Sequence, residues 1–322
     1  MLSVANRQHL WAVALAGGDG TRLQTLTRLI SGDERPKQFC PIFGGKSLLT
    51  HTLDRLGPMF RRDHTICVVA RGHERFYREE IEENDPLRSI VQPTNRGTGV
   101  AIALALLRIL REDPEAIVAF FPSDHYYADN HAFASVVGTA LQMASQHPHS
   151  LILIGAEADY PEIEYGWIEP GRVLVDSPTA RLQRVQRFWE KPILRRARIL
   201  LRRGCLWNTF VTVGWACALL ELLQSTIPQV LGALEPAASG GDLGLAYRQV
   251  RPVDLSREVL AVQPQRLLVL RDGASGWADF GTPARVIDTL VRHGIEPGWL
   301  GQLRRRAPGS HWAIPPRMIA QQ

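Results

Sequence analysis

Leu15-Ala-Gly-Gly-Asp-Gly-Thr-Arg-Leu23, followed by Pro36-Lys37-Gln38-Phe39, is the stretch on which the reading of this chain turns. It follows a short apolar run, Leu10-Trp-Ala-Val-Ala-Leu-Ala16, that reads as a buried strand. Gly17, Gly18 and Gly20 let backbone amides crowd around an anion, because no side chain blocks the approach. Thr21 offers one more amide, and Arg22 and Lys37 bring positive charge to the same anion. A strand, a glycine turn and two basic residues describe a polyphosphate cradle. A lone glycine-rich turn is more often structural; the added Thr-Arg-Leu and Pro-Lys-Gln-Phe reverse that reading.

Spacing excludes two other phosphate loops. The dinucleotide fingerprint needs a third glycine three residues after its second. Here Gly20 is followed by Thr21-Arg22-Leu23, which puts a guanidinium where close helix packing would be wanted. Gly45-Lys46-Ser47 mimics the tail of the other common loop, but the first glycine of that pattern falls on Cys40. Gly44-Gly45 is read as a turn before a helix.

Outward from the cradle, strand-like runs at 11–16, 65–70, 116–121 and 151–155 alternate with helix-like segments at 46–57, 73–83, 98–111 and 131–146. Thr98 is the expected cap of the third helix. The alternation predicts an α/β fold with a Rossmann-like, mostly parallel sheet flanked by helices. Such sheets bind ligands beyond the carboxyl ends of their strands. The glycine loop and Asp124, which follows the strand at 116–121, fall at that edge. After residue 157 the pattern changes to short strands over 165–190, with turns at Pro170-Gly171 and Ser177-Pro178, which predicts an antiparallel elaboration. A helix at 194–203, a strand over 206–213, a helical region over 215–251, a strand at 266–270 and a helix near 283–293 complete the reading.

The 322 residues are 45% hydrophobic and 21% charged, which suits a globular chain with a sizeable core. A net charge of +5 suits anionic small substrates as well as nucleic acid. The basic residues form no stripe with interleaved aromatics, and Arg195 to Arg203 read as the solvated face of a helix, so no nucleic-acid partner is expected. Cys40, Cys67, Cys205 and Cys217 lack metal-ligand spacing and read as reduced, mostly buried thiols. No signal peptide is apparent. The uncharged run 204–220 is interrupted by Asn208, Thr209, Thr212 and Gly214 and makes a poor membrane span. A cytoplasmic protein with no membrane contact is expected, and a homo-oligomer is left open.

The pattern resembles the sugar-nucleotide pyrophosphorylases and, within them, the mannose-1-phosphate guanylyltransferases, which carry G-G-x-G-T-R-L near the N-terminus and P-K-Q-F shortly after. Pro122-Ser-Asp-His-Tyr126, Tyr165-Gly-Trp-Ile168, Phe188-Trp-Glu-Lys-Pro192, Leu206-Trp-Asn-Thr-Phe210 and Trp277-Ala-Asp-Phe-Gly281 look like later family blocks in family order, over roughly residues 10 to 290. The resemblance implies that a sugar 1-phosphate attacks the α-phosphorus of a nucleoside triphosphate and expels pyrophosphate. It implies a single nucleotidyltransferase domain over 8–300, with a nucleotide-binding half over 10–156 and a sugar-phosphate-binding half over 157–300. A basic, proline-containing tail over 301–322 follows.

Roles follow from the same resemblance. Arg22 and Lys37 are the expected catalytic residues. Gly17, Gly18, Gly20, Thr21, Gln92, Arg96, Gly97 and Thr98 are expected to bind the nucleotide. Tyr165, Gly166, Glu190, Lys191 and Asn208 are expected to bind the sugar phosphate. Mg²⁺ is the expected cofactor, with Asp124 and Asp279 as its ligands. The nucleophile is already an anion, since a phosphate monoester has its second pKa near ~6, so no general base is sought. Lys37→Ala is expected to lose turnover while keeping its melting temperature.

Two departures stand out. The family's guanylyltransferases usually show Glu at the position of Gln92 and Asn-Thr at Gly97-Thr98, and a glutamine is what thymidylyl and uridylyl relatives use. The acidic insertion Ser31-Gly-Asp-Glu-Arg35 lengthens the loop before Lys37 and reads as a lid. GTP and mannose 1-phosphate are the preferred substrates, giving GDP-mannose. UTP or dTTP, another sugar, or a non-catalytic nucleotide-sugar-binding regulator are the alternatives; an NAD-dependent oxidoreductase lacks its third glycine. The chain ends without the long extension that bifunctional relatives use for isomerisation, so one activity is expected.

Overall fold

The computed structural model describes residues 8–82 and 88–301. The tail expected after residue 301 lies outside them, as does the end of the helix expected over 73–83. Among the described residues the strands are β1 (Leu10–Leu15), β2 (Thr65–Ala70), β3 (Arg88–Gln92), β4 (Ile117–Pro122), β5 (His125–Tyr126), β6 (Leu151–Glu157), β7 (Gly166–Ser177), β8 (Ala180–Glu190), β9 (Leu206–Trp215), β10 (Leu267–Asp272) and β11 (Ala278–Asp279). Nine of them form one sheet in the order β3-β2-β1-β4-β9-β6-β10-β8-β7, and β5 pairs with β11. β1 is parallel to β2 and β4, β2 to β3, and β6 to β10. Only β9 and β8 run against the rest of the sheet.

The apolar runs of β1 and β4 are continuous because both faces are covered. Trp11, Val13, Val118 and Phe120 point to a core shared with the helix Thr98–Glu112. Leu10, Ala12, Ala119 and Phe121 point the other way, to the helix Asn130–Gln146. The first of these helices is buried from Gly99 through Leu106, since Leu219, Leu222, Leu231 and Leu234 of later helices cover its outer side. An apolar circumference is what such a sandwiched helix requires.

Three local expectations differ from what is found. Thr98 does not cap its helix. Gly97 stands at the cap with φ 83°, and Thr98 Oγ1 instead accepts the Leu255 N–H at 3.2 Å. The chain near Val253 presses on this turn: Gly99 N donates to Val253 O, Val253 N donates to Arg96 O, and a Cβ on Gly97 would come within 2.4 Å of Val253 O. Second, residues 165–190 form one long hairpin closed at 177–180. Pro170 marks a register shift within β7, not a turn. β7 also pairs with β9 at Trp167 and Ile168, and Pro170 falls just past that pairing, where a residue without an N–H fits at an irregularity. Third, β3 was not read from the sequence at all.

The register sets Leu15 of β1 opposite Val68 of β2 and Pro122 of β4, so their carboxyl ends lie level. The glycine loop after β1, the 92–98 turn after β3 and Asp124 after β4 leave the sheet along this one edge.

Candidate active site

The glycine loop is clamped from below. Gln38, only 2% exposed, donates through Nε2 to Ala16 O at 2.9 Å and Gly18 O at 2.7 Å. Ser123 Oγ donates to Leu15 O at 2.7 Å, which ties β1 to the start of the next block. Gly20 adopts φ 61°, and a Cβ there would meet Lys37 N at 2.9 Å. The cradle and the Pro-Lys-Gln-Phe segment therefore pack as one unit.

Lys37 is 7% exposed, and its Nζ lies 3.0 Å from Asp279 Oδ1, 3.2 Å from Asp124 Oδ2 and 3.0 Å from Phe280 O. Asp124 and Asp279 are far apart in sequence. The two-residue ribbon of β5 and β11 brings them together, because it pairs Asp279 with His125. Burial opposes the charge on Lys37, but Asp124 and Asp279 outweigh it and hold the pKa above its ordinary value. Burial likewise opposes charge on Asp279, yet the Lys37 ammonium beside it keeps the carboxyl well below the usual range. His125 is pushed down by burial against the pull of both aspartates. Trp277 Nε1 donates to His125 Nδ1 at 3.1 Å, so the neutral ring carries its proton on Nε2, 3.7 Å from each carboxylate.

Arg285, not singled out from the sequence, reaches the same cluster. Its Nη1 is 3.5 Å from Asp279 Oδ2, its other arm pairs with Glu162, and its guanidinium lies 4.6 Å over the Tyr165 ring. The signal was present: Arg285 is in the first turn of the helix Pro283–Arg292, where a cation opposes the helix dipole unless anions hold it. Gln38, Ser123 and Glu162 were missed as well.

Gly17, Gly18, Arg22, Lys37, Gln92, Gly97, Thr98, Asp124 and Asp279 line one cavity of about 360 Å³. Gly20 and Thr21 line an adjoining cleft with Arg22, Lys37 and Asp124. Arg22 is half exposed at the mouth and pairs with Glu164 at 3.1 Å. At the far end Gln92, 2% exposed, accepts the buried Tyr247 hydroxyl through Oε1 at 2.9 Å. Its Nε2 lies against Gly17, where a Cβ would come within 2.6 Å. The Gln92 carbonyl oxygen is thus occupied within the fold. With that oxygen taken, the amide N–H₂ is the group left for the cavity. The side chain of Arg96 does not line the cavity.

The residues expected to bind the sugar phosphate form a second cluster next to the first. Tyr165 OH donates to Asp279 O at 3.4 Å, and the Tyr165 ring packs edge-on against Trp207 and Trp277. Gly166 pairs with Glu190 across the hairpin, and a Cβ on it would press on Phe188 and Glu190. Lys191 sits at φ 46° with Nζ 3.5 Å from Glu190 Oε1. Burial raises the Glu190 pKa. Asn208, 8% exposed, accepts the Phe210 N–H through Oδ1. In the acidic insertion Arg35 grips Asp33 at 2.8 Å and lies 5.5 Å over Phe76, and residues 31–35 are not among those that line the two cavities.

The donor set near Lys37 is two carboxylates, with no group of three or more His, Cys, Asp or Glu side chains among the described residues able to hold a metal ion. Mg²⁺ keeps several waters and takes one or two carboxylates, so these residues fit it, whereas a structural zinc would want four protein ligands. No helix among the described residues is long and apolar enough to cross a membrane.

Known proteins resemble this chain over most of its length. Xanthan biosynthesis protein XanB of Xanthomonas campestris pv. campestris is 31% identical over 320 residues, covering 96% of this chain and 65% of that protein. Mannose-1-phosphate guanylyltransferase of Escherichia coli is 31% identical over 249 residues, covering 76% and 51%. A solved structure from Thermus thermophilus, described as a mannose-1-phosphate geranyltransferase, matches with a TM-score of 0.77 at 28% identity, covering 90% of this chain and 80% of that one. The chain thus spans about half to two thirds of the length of the curated relatives it matches. The family model described as Nucleotidyl transferase runs over residues 11–291, from the first strand to the helix that carries Arg285, and the chain belongs to that family.

Proposed function

We propose that this protein transfers a nucleotidyl group from a nucleoside triphosphate to a sugar 1-phosphate, with GTP and mannose 1-phosphate as substrates and GDP-mannose and pyrophosphate as products. The observation that carries the reading is Lys37, buried between Asp124 and Asp279 on the floor of the cavity that the glycine loop borders. The shared sheet, in which β9 lies between β4 and β6, supports reading 8–300 as one catalytic domain. Cytoplasmic action is part of the same reading.

In the reaction a sugar-phosphate oxygen forms a bond to the α-phosphorus. The bond from that phosphorus to the leaving pyrophosphate breaks, and its electron pair departs with the pyrophosphate. Chemistry of this kind rests on positioning and charge stabilisation. The amides of Gly17, Gly18, Gly20 and Thr21 hold phosphate oxygens. Arg22 trades its exposed pairing with Glu164, a contact of low worth, for a forked grip on the β- and γ-phosphates. Lys37 stands at the phosphates as a fixed charge. Tyr165, Gly166, Glu190, Lys191 and Asn208 hold the acceptor. Mg²⁺, held by Asp124 and Asp279, would neutralise charge on the phosphates.

Gln92 bears on the base. With its carbonyl held by Tyr247, it offers a donor, which suits the carbonyl oxygen of guanine, uracil or thymine and not the amino group of adenine. This observation keeps UTP and dTTP as the second reading. Tyr247→Phe frees the amide to turn. It is expected to raise the nucleotide KM up to about tenfold, the worth of one hydrogen bond, and to narrow the preference for GTP over ATP. Steady-state kinetics with both triphosphates checks this; an unaltered GTP-to-ATP ratio would show that Tyr247 does not orient Gln92. The function itself is tested by pyrophosphate release over four triphosphates and several sugar 1-phosphates. Folded protein with Mg²⁺ that turns over no pair would sink the enzyme reading, and turnover with UTP or dTTP but not GTP would overturn the base alone.

A further inference from the structure

β9 leaves its regular path beside the cavity. Its pairing with β6 sets Ile152 against Val213 and Leu153 against Thr212, then resumes with Gly155 against Asn208. Thr209, Phe210 and Val211 therefore stand opposite Ile154 alone, as a β-bulge. Side chains secure it. Thr209 Oγ1 donates to Ile154 O at 2.7 Å, Asn208 Oδ1 accepts the Phe210 N–H at 3.2 Å, and Thr212 Oγ1 donates to Phe210 O at 3.2 Å. Thr209 and Val211 are fully buried in the fold. Phe210 is the member of the bulge that lines the cavity, and its φ is 68°.

That backbone conformation is costly for an L-residue and most of all for a bulky one, whereas glycine adopts it freely. A phenylalanine held where glycine would fit better points to a use for its ring. Strand order indicates which substrate meets it. Gln92 ends β3, the glycine loop follows β1, Asp124 follows β4, and β9 lies on the far side of β4. Phe210 and the base-reading amide thus stand on opposite sides of the phosphate cradle.

We propose that Phe210 is a specificity-determining residue for the acceptor. Its ring forms an apolar wall on which the C–H face of the sugar 1-phosphate packs, beside Asn208 on the same strand. The proposal rests on reading the cavity as the site of nucleotidyl transfer. Phe210→Ala removes the ring and keeps the backbone demand; Phe210→Gly removes both. Both variants are expected to raise the KM for mannose 1-phosphate on the order of tenfold, to leave the KM for GTP within about twofold, and to weaken the preference for mannose 1-phosphate over glucose 1-phosphate. Phe210→Gly is expected to melt no lower than Phe210→Ala, because glycine relieves the backbone. An unchanged acceptor KM in both variants, or an equal rise in both KM values, overturns the proposal. Calorimetric titration of mannose 1-phosphate into the same three proteins reads acceptor binding without turnover. Weaker binding by both variants upholds the proposal even if the wild type proves inactive, equal binding overturns it, and a wild type that does not bind the sugar phosphate overturns it together with the functional reading.

Discussion

Lys37→Ala is expected to lower turnover by about 10²–10³-fold, the effect of removing one group that stabilises developing charge. The sequence alone suggested that this variant would keep its melting temperature. Burial changes that expectation. Lys37 is the cation between Asp124 and Asp279, and its removal leaves Asp279, 14% exposed, with Arg285 as its remaining guanidinium partner at 3.5 Å. Breaking a buried pair in this way costs about 3 kcal/mol, at the low end of the usual range because water reaches Asp124. In metal-free buffer the variant should therefore melt well below the wild type. If Asp124 and Asp279 hold Mg²⁺, the metal should recover more of the loss in the variant than it adds to the wild type, because the Lys37 ammonium no longer competes for the two carboxylates.

The pH dependence has a definite sign. Asp279, with its pKa depressed in the fold, contributes stability above the ordinary carboxylate pKa and loses it as pH falls through the folded value. Lys37, with its pKa raised, contributes below the ordinary lysine pKa and loses it as pH rises through the folded value. The gap in melting temperature between wild type and variant should be widest from about pH 5 to 9 and close at both extremes. A variant that melts like the wild type across that window would show that Lys37 does not hold the cluster together, and one that still turns over would show that its charge does not serve the reaction.

What could be read in advance follows the physics of each signal. β1 and β4 announce themselves because strands covered on both faces are apolar without interruption, as Leu10-Trp-Ala-Val-Ala-Leu15 shows. β3 does not, because Arg88-Ser-Ile-Val-Gln92 is short, lies at the sheet edge and has only two buried residues. The cradle was legible since its glycines, Arg22 and Lys37 are near neighbours in the chain. The pairing of Asp279 with His125 rests on a ribbon of two residues per strand, far too short to leave a periodicity. The Tyr247 contact to Gln92 joins a helix in the second half to β3, and nothing local in either segment encodes it.

Asp124→Asn and Asp279→Asn should separate ligand from scaffold, although both remove one carboxylate from the same cluster. Asp124 is 28% exposed, faces the cavity and has one lysine partner at 3.2 Å. Asp279 is half as exposed and is in contact with both Lys37 and Arg285. If both aspartates hold Mg²⁺, each variant should lose about 10³-fold in turnover at fixed metal and need more Mg²⁺ for half-maximal rate. Stability should divide them. Asp124→Asn should stay within about 1 kcal/mol of the wild type, since the partly exposed pair is screened. Asp279→Asn should lose several times that, because Lys37 and Arg285 are left buried with one carboxylate fewer. Mg²⁺ titrations of rate and urea melts on the two proteins give both numbers. If Asp124→Asn kept the wild-type Mg²⁺ requirement, its carboxylate would be there only to balance Lys37, and the metal would have to be held by Asp279 and the phosphates.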